Sequence, residues 1–331
     1  MENKEKEIPF PEVLDQLFDE ATPKVSLLFR LSDLETADFG LFQARWLLAD
    51  VEQRGVLARH LADLVEDDFV LDFSPIFSFF LDDEATAVRH AGLDGLWDAT
   101  DLSLLPQIIE MMKHDEETAV RAAAASTLAH YVLLSEWGQL PAHISDKIVA
   151  ELLVAYEQPG TPTSVRRAAL EAMASANHPR IATLIEEAYQ ESDIYMQLSA
   201  VFAMGSSADS RWLPVVLQEM ESHLAEMRAE AARAAGHIGS SDAIAELADL
   251  AIDPDEDVAL AAINALGQIG GEEATRILTD LAEDPDAEAL QEAIFDAIEE
   301  MSWLSGDFNL LALQDDDEED EDDGMGIFSK N

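Results

Sequence analysis

Aspartates and glycines at the two ends of one segment are residue types that bind calcium or phosphate in other proteins. The segment is DPDEDVALAAINALGQIGG, which begins at Asp253. Asp253, Asp255 and Asp257 match the first three ligand positions of a calcium-binding loop between helices, which also requires glycine at its sixth position and glutamate at its twelfth. Val258 and Asn264 hold those two positions, so the sequence excludes a calcium site of this kind.

The glycines at the end of the segment do not form a phosphate-binding motif. Gly267, Gly270 and Gly271 follow an apolar helical pattern, whereas glycine-rich phosphate loops follow a strand and open a helix. Glycine commonly ends a helix because it adopts a left-handed conformation at little cost. We therefore predict that these three glycines, together with Gly236 and Gly239, are helix-terminating or turn residues.

The acidic start of the segment is typical of the beginning of a helix. Asp253 can accept backbone hydrogen bonds as the N-cap, Pro254 suits the first helical position, and Glu256 completes a capping box. A cap stabilises a helix by ~1 kcal/mol, and DPDAEAL at residues 284–290 repeats the pattern. We predict that these acids start helices and bind no metal.

Other residue types that carry chemistry are absent or unsuitably spaced. The chain has no cysteine and no GxSxG motif, which removes the usual signatures of thiol and serine hydrolases. No two of its eight histidines have metal-ligand spacing on one helix. We therefore predict no catalytic residue, no metal and no cofactor, and expect a protein without enzymatic activity in the reducing cytoplasm.

The pattern of this segment recurs along the chain and defines the elements that position its residues. An apolar anchor is followed by small or apolar residues three and four positions later, and by a pair such as Ala-Leu at seven and eight. The anchors are spaced by 31 or 32 residues, with one interval of 45, and are Val88, Val120, Val165, Met196, Met227, Val258 and Leu290. A recurring interval of this size is the signature of stacked supersecondary units.

Each unit contains two apolar helical patterns. The anchor segment, as in VRAAAASTLAHY, places its apolar residues on one face of a helix. A second short apolar segment, as in RIATLIEEAY, fills the rest of the interval, and no segment alternates with the period of a strand. Because each helix pair can bury its apolar face only against the next pair, we predict an all-α fold, an α-solenoid of about seven to eight stacked antiparallel helix pairs.

The repeats also divide the chain into regions. We predict an N-terminal extension with short helices at residues 1–35, a divergent first repeat or cap at 36–81, the repeat solenoid at 82–303 and an acidic disordered tail at 304–331. Terminal repeats diverge because they cover the ends of a stack. The nine consecutive acids at 315–323 repel one another and cannot be buried.

The repeats resemble a known family. The VR and ALG signatures, the acidic turns, and the prolines Pro106 and Pro214 are similar to HEAT repeats, in particular to the short bacterial type first described in phycobilisome-lyase-like proteins. The resemblance implies a solenoid that serves scaffolds, chaperones and a few enzymes. One of these enzyme families, the deoxyhypusine hydroxylases, binds two irons through His-Glu pairs, and no histidine of this chain is followed by glutamate.

The resemblance further implies a ladder of arginines that follow the anchors and pair with turn aspartates. Arginine is present after four anchors, as Arg89, Arg121, Arg166 and Arg228. In the other units it is replaced by Gln197, Ala259 and Gln291. We therefore expect the ladder to be interrupted in the C-terminal half.

The balance of charge limits the partners. The chain has 19 basic against 69 acidic residues, a formal charge of −50. A field of this sign repels nucleic acids and anionic membranes and attracts basic proteins, and no apolar run is long enough to cross a bilayer. We predict a protein or peptide partner with a basic surface, no nucleic acid and no membrane.

The partner-binding residues are predicted from the resemblance and the helical period. In HEAT repeats the anchor helices line the concave face, and the second and sixth positions after an anchor point away from the core. We predict that nine such residues contact the partner: His90, Asp94, Arg167, Glu171, Leu198, Phe202, Arg233, Leu260 and Asn264. The three apolar members would form the floor of a groove unless a neighbouring helix covers them, and Trp97 and Tyr131 could extend the surface.

The function predicted from these features is that of a non-enzymatic scaffold or adaptor that binds a protein or peptide on its concave face. Two alternatives stay open. One is an enzyme or accessory protein of the lyase-like or hydroxylase-like branch, and the other is an assembly chaperone for a basic client protein.

Overall fold

The computed structural model describes residues 8–19, 23–67 and 70–305, and all regular structure in these ranges is helical. The α-helices of the first half are α1 (Phe10–Asp19), α2 (Val25–Leu28), α3 (Thr36–Trp46), α4 (Val51–Asp67), α5 (Ser74–Phe80), α6 (Thr86–Asp94), α7 (Leu105–His114), α8 (Thr118–Glu136) and α9 (Ala142–Glu157). Those of the second half are α10 (Thr163–Met173), α11 (Ile181–Tyr189), α12 (Ile194–Ser206), α13 (Leu213–Glu219), α14 (Ala225–Ile238), α15 (Ile244–Leu250), α16 (Glu256–Ile269), α17 (Gly271–Ala282) and α18 (Gln291–Ser305). Short 3₁₀ helices span Phe29–Leu31, Ser210–Trp212, Ser241–Ala243 and Pro285–Leu290.

Consecutive helices pack as pairs, and the pairs stack. The pairs are α5 with α6, α7 with α8, α9 with α10, α11 with α12, α13 with α14, α15 with α16 and α17 with α18. The second helix of each pair contacts the second helix of the next, so α4, α6, α8, α10, α12, α14, α16 and α18 form a continuous row. We call it the anchor-helix row. The predicted all-α solenoid is confirmed.

Proline and aspartate start several helices, as their chemistry predicts. Proline lies in the first turn of α5, α7 and α13, where no backbone N–H is needed. The carboxylate of Asp193 caps α12 by accepting from the N–H groups of Tyr195 and Met196. Within the described ranges, no helix is long and apolar enough to pass through a membrane.

The cap of α16 differs from the prediction. Asp255 is the N-cap, and its Oδ1 accepts the N–H of Val258 at 3.4 Å. Asp253 lies in the preceding turn, where its Oδ1 accepts the N–H of Asp255 at 2.9 Å. The prediction of Asp253 as the cap is wrong because the helix begins at Glu256 and Asp253 pairs with Arg228 instead.

Two glycines that were predicted to end helices lie inside them. Gly239 and Gly270 terminate α14 and α16 with positive φ, and Gly271 also has positive φ. Gly236 and Gly267 instead face the next helix of the anchor-helix row, where an added Cβ would lie 3.0 Å from an alanine Cβ. The prediction is wrong for these two residues because they allow close helix approach rather than a turn.

Gly205 of α12 makes the tightest such contact with the backbone of another helix. A Cβ at this position would lie 2.6 Å from the Cα of Ala234 in α14. We expect Gly205→Ala to lower the free energy of unfolding by about 2 kcal/mol, because backbone must move to admit the methyl group. Gly40→Ala is the matched control, since nothing lies within 4 Å of its added Cβ, and alanine should stabilise helix α3 by about 0.5–1 kcal/mol. Urea unfolding of both variants checks the prediction, and a shift of both in the same direction would contradict it.

The arginine ladder is present where both partners exist. Arg89 Nε donates to Asp115 at 2.8 Å, Arg166 Nη2 to Glu191 at 2.6 Å, and Arg228 to Asp253 through Nε and Nη2 at 2.8 and 2.9 Å. Arg121 donates to the Met112 carbonyl, and Gln197 to the carbonyl of Glu191. The ladder is therefore interrupted at Gln197, as expected, and resumes at Arg228 in the C-terminal half.

Aromatic side chains fill the N-terminal end of the stack. The rings of Phe18, Phe42, Trp46 and Phe80, from α1, α3 and α5, are in mutual contact and fully buried. The predicted short helices of the N-terminal extension correspond to α1 and α2. Of the predicted acidic tail, 304–331, residues 304 and 305 lie in α18 and residues 306–331 fall outside the described residues.

Candidate functional site

Five of the nine predicted partner-binding residues come together in one groove on the anchor-helix row. Arg167 and Glu171 of α10, Leu198 and Phe202 of α12, and Arg233 of α14 line it. Its volume is about 460 Å³. The helical period placed these side chains correctly on one surface because α10, α12 and α14 pack side by side in the same register.

The floor of the groove is apolar. Leu198 is half-buried and packs against the core, whereas 37% of Phe202 is exposed. Ala225 and Ala229 of α14 complete the lining beside them, and their small side chains leave the phenyl ring open. A neighbouring helix therefore does not cover Phe202.

A second section continues the groove toward the C-terminus. It has a volume of about 300 Å³, and its lining includes Leu260 and Asn264 of α16. Arg233 and Asp257 line both sections. Seven of the nine predicted residues thus lie along one groove that spans α10 to α16.

The polar groups at the α10 end of the groove bind one another. Arg167 Nε donates to Ser199 Oγ at 2.8 Å, and Ser199 Oγ donates to a carboxylate oxygen of Glu171. Arg167 also lies 3.8 Å from Glu171 and stacks over the ring of Tyr195, 5.5 Å from its centroid. The hydroxyl of Ser199 is completely buried, so this network is part of the wall.

The polar groups in the middle of the groove form a second pair. Arg233 Nη1 donates to Glu230 at 2.9 Å. Burial raises the pKa of Glu230, the nearby charge of Glu171 raises it further, and Arg233 opposes both. The two arginines of the groove are therefore both held by carboxylates of the groove itself.

His90 and Asp94 lie outside the groove. They belong to α6, which is separated from α10 by α8 in the anchor-helix row. Asp94 accepts from His90 Nδ1 at 2.9 Å and from Arg59 Nη1 at 2.8 Å, and the hydrogen bond to Asp94 raises the pKa of His90. These residues form an ion-pair cluster that the structure does not join to the other seven.

The two aromatic residues considered as extensions of the surface differ from each other. Tyr131 is fully buried, and its hydroxyl donates to the carbonyl of Asp101 at 3.1 Å, so it cannot contact a partner. Trp97 is 42% exposed, and its ring lies edge-on to that of His130.

Several residues that line the groove were not predicted from the sequence, although two of them could have been recognised from the repeat pattern. Ser199 and Glu230 stand three positions after their anchors, where the other five units have alanine. A polar side chain at a position where alanine packs helix against helix indicates that the position has a different role in that unit. Glu226, Asp255 and Asp257 also line the groove. The sequence pattern indicates only a helix start for the two aspartates, and it gives no signal for Glu226.

Residues 104–133 and 213–299 belong to a recognised repeat family. A family model described as HEAT repeats matches residues 213–299, and one described as HEAT repeat matches residues 104–133. The chain contains HEAT repeats. The first match includes all of α14 and α16, so HEAT repeats form one wall of the groove. The matches do not address the bacterial lyase-like subtype, which stays a prediction.

The solved structures that are similar to this chain have low sequence identity to it. Escherichia coli YibA is 19% identical with a TM-score of 0.41, over 88% of this chain and 96% of that one. Human deoxyhypusine hydroxylase in complex with glycerol is 15% identical with a TM-score of 0.35, over 89% and 96%. A chain from a structure of Kap95p with RanGDP is 15% identical with a TM-score of 0.43, over 88% and 45%. No curated protein sequence matches this chain, and no function follows from identities this low.

Proposed function

We propose that the protein is a cytoplasmic, non-enzymatic HEAT-repeat scaffold that binds a protein or peptide partner, with a basic surface, in the groove between α10 and α16. The observation that carries the proposal is the open apolar floor. Phe202 is a large side chain, 37% exposed, in a groove of about 460 Å³ that the described residues leave unfilled.

The arrangement of the groove is that of a binding surface. Interfaces between proteins have an apolar centre and a polar rim, and aromatic side chains are enriched at the centre. Here Leu198 and Phe202 form the centre, and charged side chains from α10, α14 and the start of α16 surround them. Binding at such a site removes apolar surface from water on both partners.

The same residues favour binding over catalysis. A catalytic acid, base or nucleophile must reach its substrate, whereas Ser199, which hydrogen-bonds to Arg167 and Glu171, is completely buried. Arg233 and Glu230 form a separate pair. An assembly chaperone for a basic client would use the same groove and would differ from a scaffold in the lifetime of its complex.

We expect Phe202→Asp to lose binding to peptides that the native protein selects from a random library displayed on phage. An aspartate on the floor puts a hydrated charge where an apolar side chain must be buried, so affinity should fall at least about tenfold. Phe295→Asp is the matched control, because Phe295 is 56% exposed on α18 and does not line the groove. Fluorescence anisotropy with the selected peptides measures both. Equal affinities for Phe202→Asp and the native protein, or an equal loss in the control, would overturn the proposal.

A further inference from the structure

The charges that line the groove are unbalanced. Two arginines, Arg167 and Arg233, face five carboxylates from α10, α14 and the start of α16: Glu171, Glu226, Glu230, Asp255 and Asp257. Within this one cleft the negative charges therefore exceed the positive charges by three. Clefts of one sign concentrate field lines and attract ligands of the other sign.

Most of these charged groups already have partners. Arg167 lies against Glu171 and Ser199, and Arg233 against Glu230. A third acid, Asp255, uses Oδ1 to cap α16. Both arginines therefore already face a carboxylate of the groove.

Glu226 and Asp257 differ from the other acids of the groove. Among residues 8–19, 23–67 and 70–305, neither side chain forms an ion pair, and both are exposed. Glu226 lies in the first turn of α14 and Asp257 in the first turn of α16, two helices that pack side by side in the anchor-helix row. Two unpaired carboxylates thus border one groove from adjacent helices.

The apolar floor lies beside these carboxylates. Leu198 and Phe202 of α12 line the same section of the groove as Glu226 and Asp257. A ligand that uses the whole section must therefore combine an apolar group with a positive charge. Lysine and arginine side chains have this character in part, since their stems pack on apolar surface while the charged end stays polar.

We propose that the groove recognises a peptide segment in which a lysine or arginine lies next to a leucine-like or aromatic residue. The cationic group lies between Glu226 and Asp257, and the apolar side chain packs on Leu198 and Phe202. The inference rests on the proposed function, which requires only that the groove bind a peptide, and it adds the chemistry of that peptide. The net charge of −50 accelerates encounter with any cation, so the specific contribution must come from the groove.

The test uses three short fluorescent peptides with the full-length protein. One alternates lysine with leucine, the second alternates glutamate with leucine, and the third alternates lysine with serine. We expect the lysine-leucine peptide to bind at least about tenfold more tightly than either of the others, because only it satisfies both the carboxylates and the floor.

The matched variants separate the groove from the general charge of the surface. Glu226→Gln with Asp257→Asn should weaken binding of the lysine-leucine peptide about tenfold and reduce its salt dependence. Glu186→Gln with Asp249→Asn removes the same number of charges from exposed sites on α11 and α15 and should leave the affinity nearly unchanged. Circular dichroism spectra verify that both double variants keep the helical fold.

The inference is overturned if the glutamate-leucine peptide or the lysine-serine peptide binds as tightly as the lysine-leucine peptide. It is also overturned if the two double variants lose equal affinity. If the lysine-leucine peptide fails to bind while library-selected peptides still depend on Phe202, the inference is wrong and the proposed function stands. If no peptide depends on Phe202, both are wrong.

Discussion

Replacing Trp46 with alanine is expected to lower the free energy of unfolding of the N-terminal units by about 4 kcal/mol. The indole is completely buried. Its ring stacks on Phe80 at 4.4 Å between centroids and contacts Phe42 at 5.5 Å and Phe18 at 5.9 Å. The substitution would leave a large cavity among α1, α3 and α5, because rings fixed on three different helices cannot collapse into it.

The polar end of the indole adds to this effect. Trp46 Nε1 donates to Asp83 Oδ2 at 2.8 Å, and the same oxygen accepts from Arg54 Nη1 at 2.7 Å. Trp46→Phe keeps one aromatic ring, removes this hydrogen bond and leaves a smaller cavity. We expect it to cost about 2 kcal/mol, below the cost of the alanine substitution.

Hydrogen exchange measures where the stability is lost. In a stack of repeats each unit contacts only its neighbours, so amides of α3 and α5 should exchange faster in Trp46→Ala while those of α14 and α16 keep their protection. Trp137→Ala is the control, since Trp137 is 64% exposed and its loss should change stability by no more than about 0.5 kcal/mol. Uniform acceleration along the whole chain would contradict the view that the aromatic residues stabilise one end.

The architecture of the chain was predictable because its periodicity is strong. Six of the seven anchors, Val120 and Val258 among them, are buried, whereas Leu290 is partly buried. The small residues after the buried anchors face the next helix of the anchor-helix row. A helical period fixes which side chains share a face. The sequence therefore predicts that Leu198, Phe202 and Arg233 lie on one surface. The family matches at 104–133 and 213–299 confirm the type of repeat.

The extent of the groove was not predictable from the same period. His90 and Asp94 occupy the same positions in their unit as Leu198 and Phe202 do in theirs. However, Asp94 binds both His90 and Arg59. Whether equivalent positions form a groove depends on the neighbouring side chains, which the period does not specify. Ser199 and Glu230, which replace alanine, identify the units that form the groove. Which contacts these two residues make depends on partners that the repeat pattern does not specify.

The turns were the least predictable part because two residues with the same chemistry compete for one role. Asp253 and Asp255 can both cap a helix, and sequence alone favours the one that precedes proline. In the structure Arg228 binds Asp253, which leaves Asp255 as the cap. A contact between units therefore decides the start of α16.

Replacing Asp253 with alanine is expected to lower the free energy of unfolding by about 3 kcal/mol, because it leaves the guanidinium of Arg228 without its anion. Asp253 accepts two hydrogen bonds from Arg228 and one from the N–H of Asp255, and only 9% of its side chain and 16% of that of Arg228 are exposed. Asp253→Asn keeps an oxygen for the Asp255 N–H and removes the charge, so its loss should be smaller. Urea unfolding at neutral pH distinguishes the two variants.

The pH dependence of the same pair follows from the direction of its pKa. The hydrogen bond from Arg228 lowers the pKa of Asp253, burial opposes it, and the Asp255 N–H lowers it further. Its stabilisation is therefore complete above the ordinary aspartate pKa and is lost as the pH falls through the lowered value. The stability difference between the native protein and Asp253→Asn should shrink over that acidic range, and a constant difference would contradict the assignment. Because Asp253 also fixes the turn that leads to Asp255 and Asp257, Asp253→Ala should weaken peptide binding in the groove even where the protein stays folded.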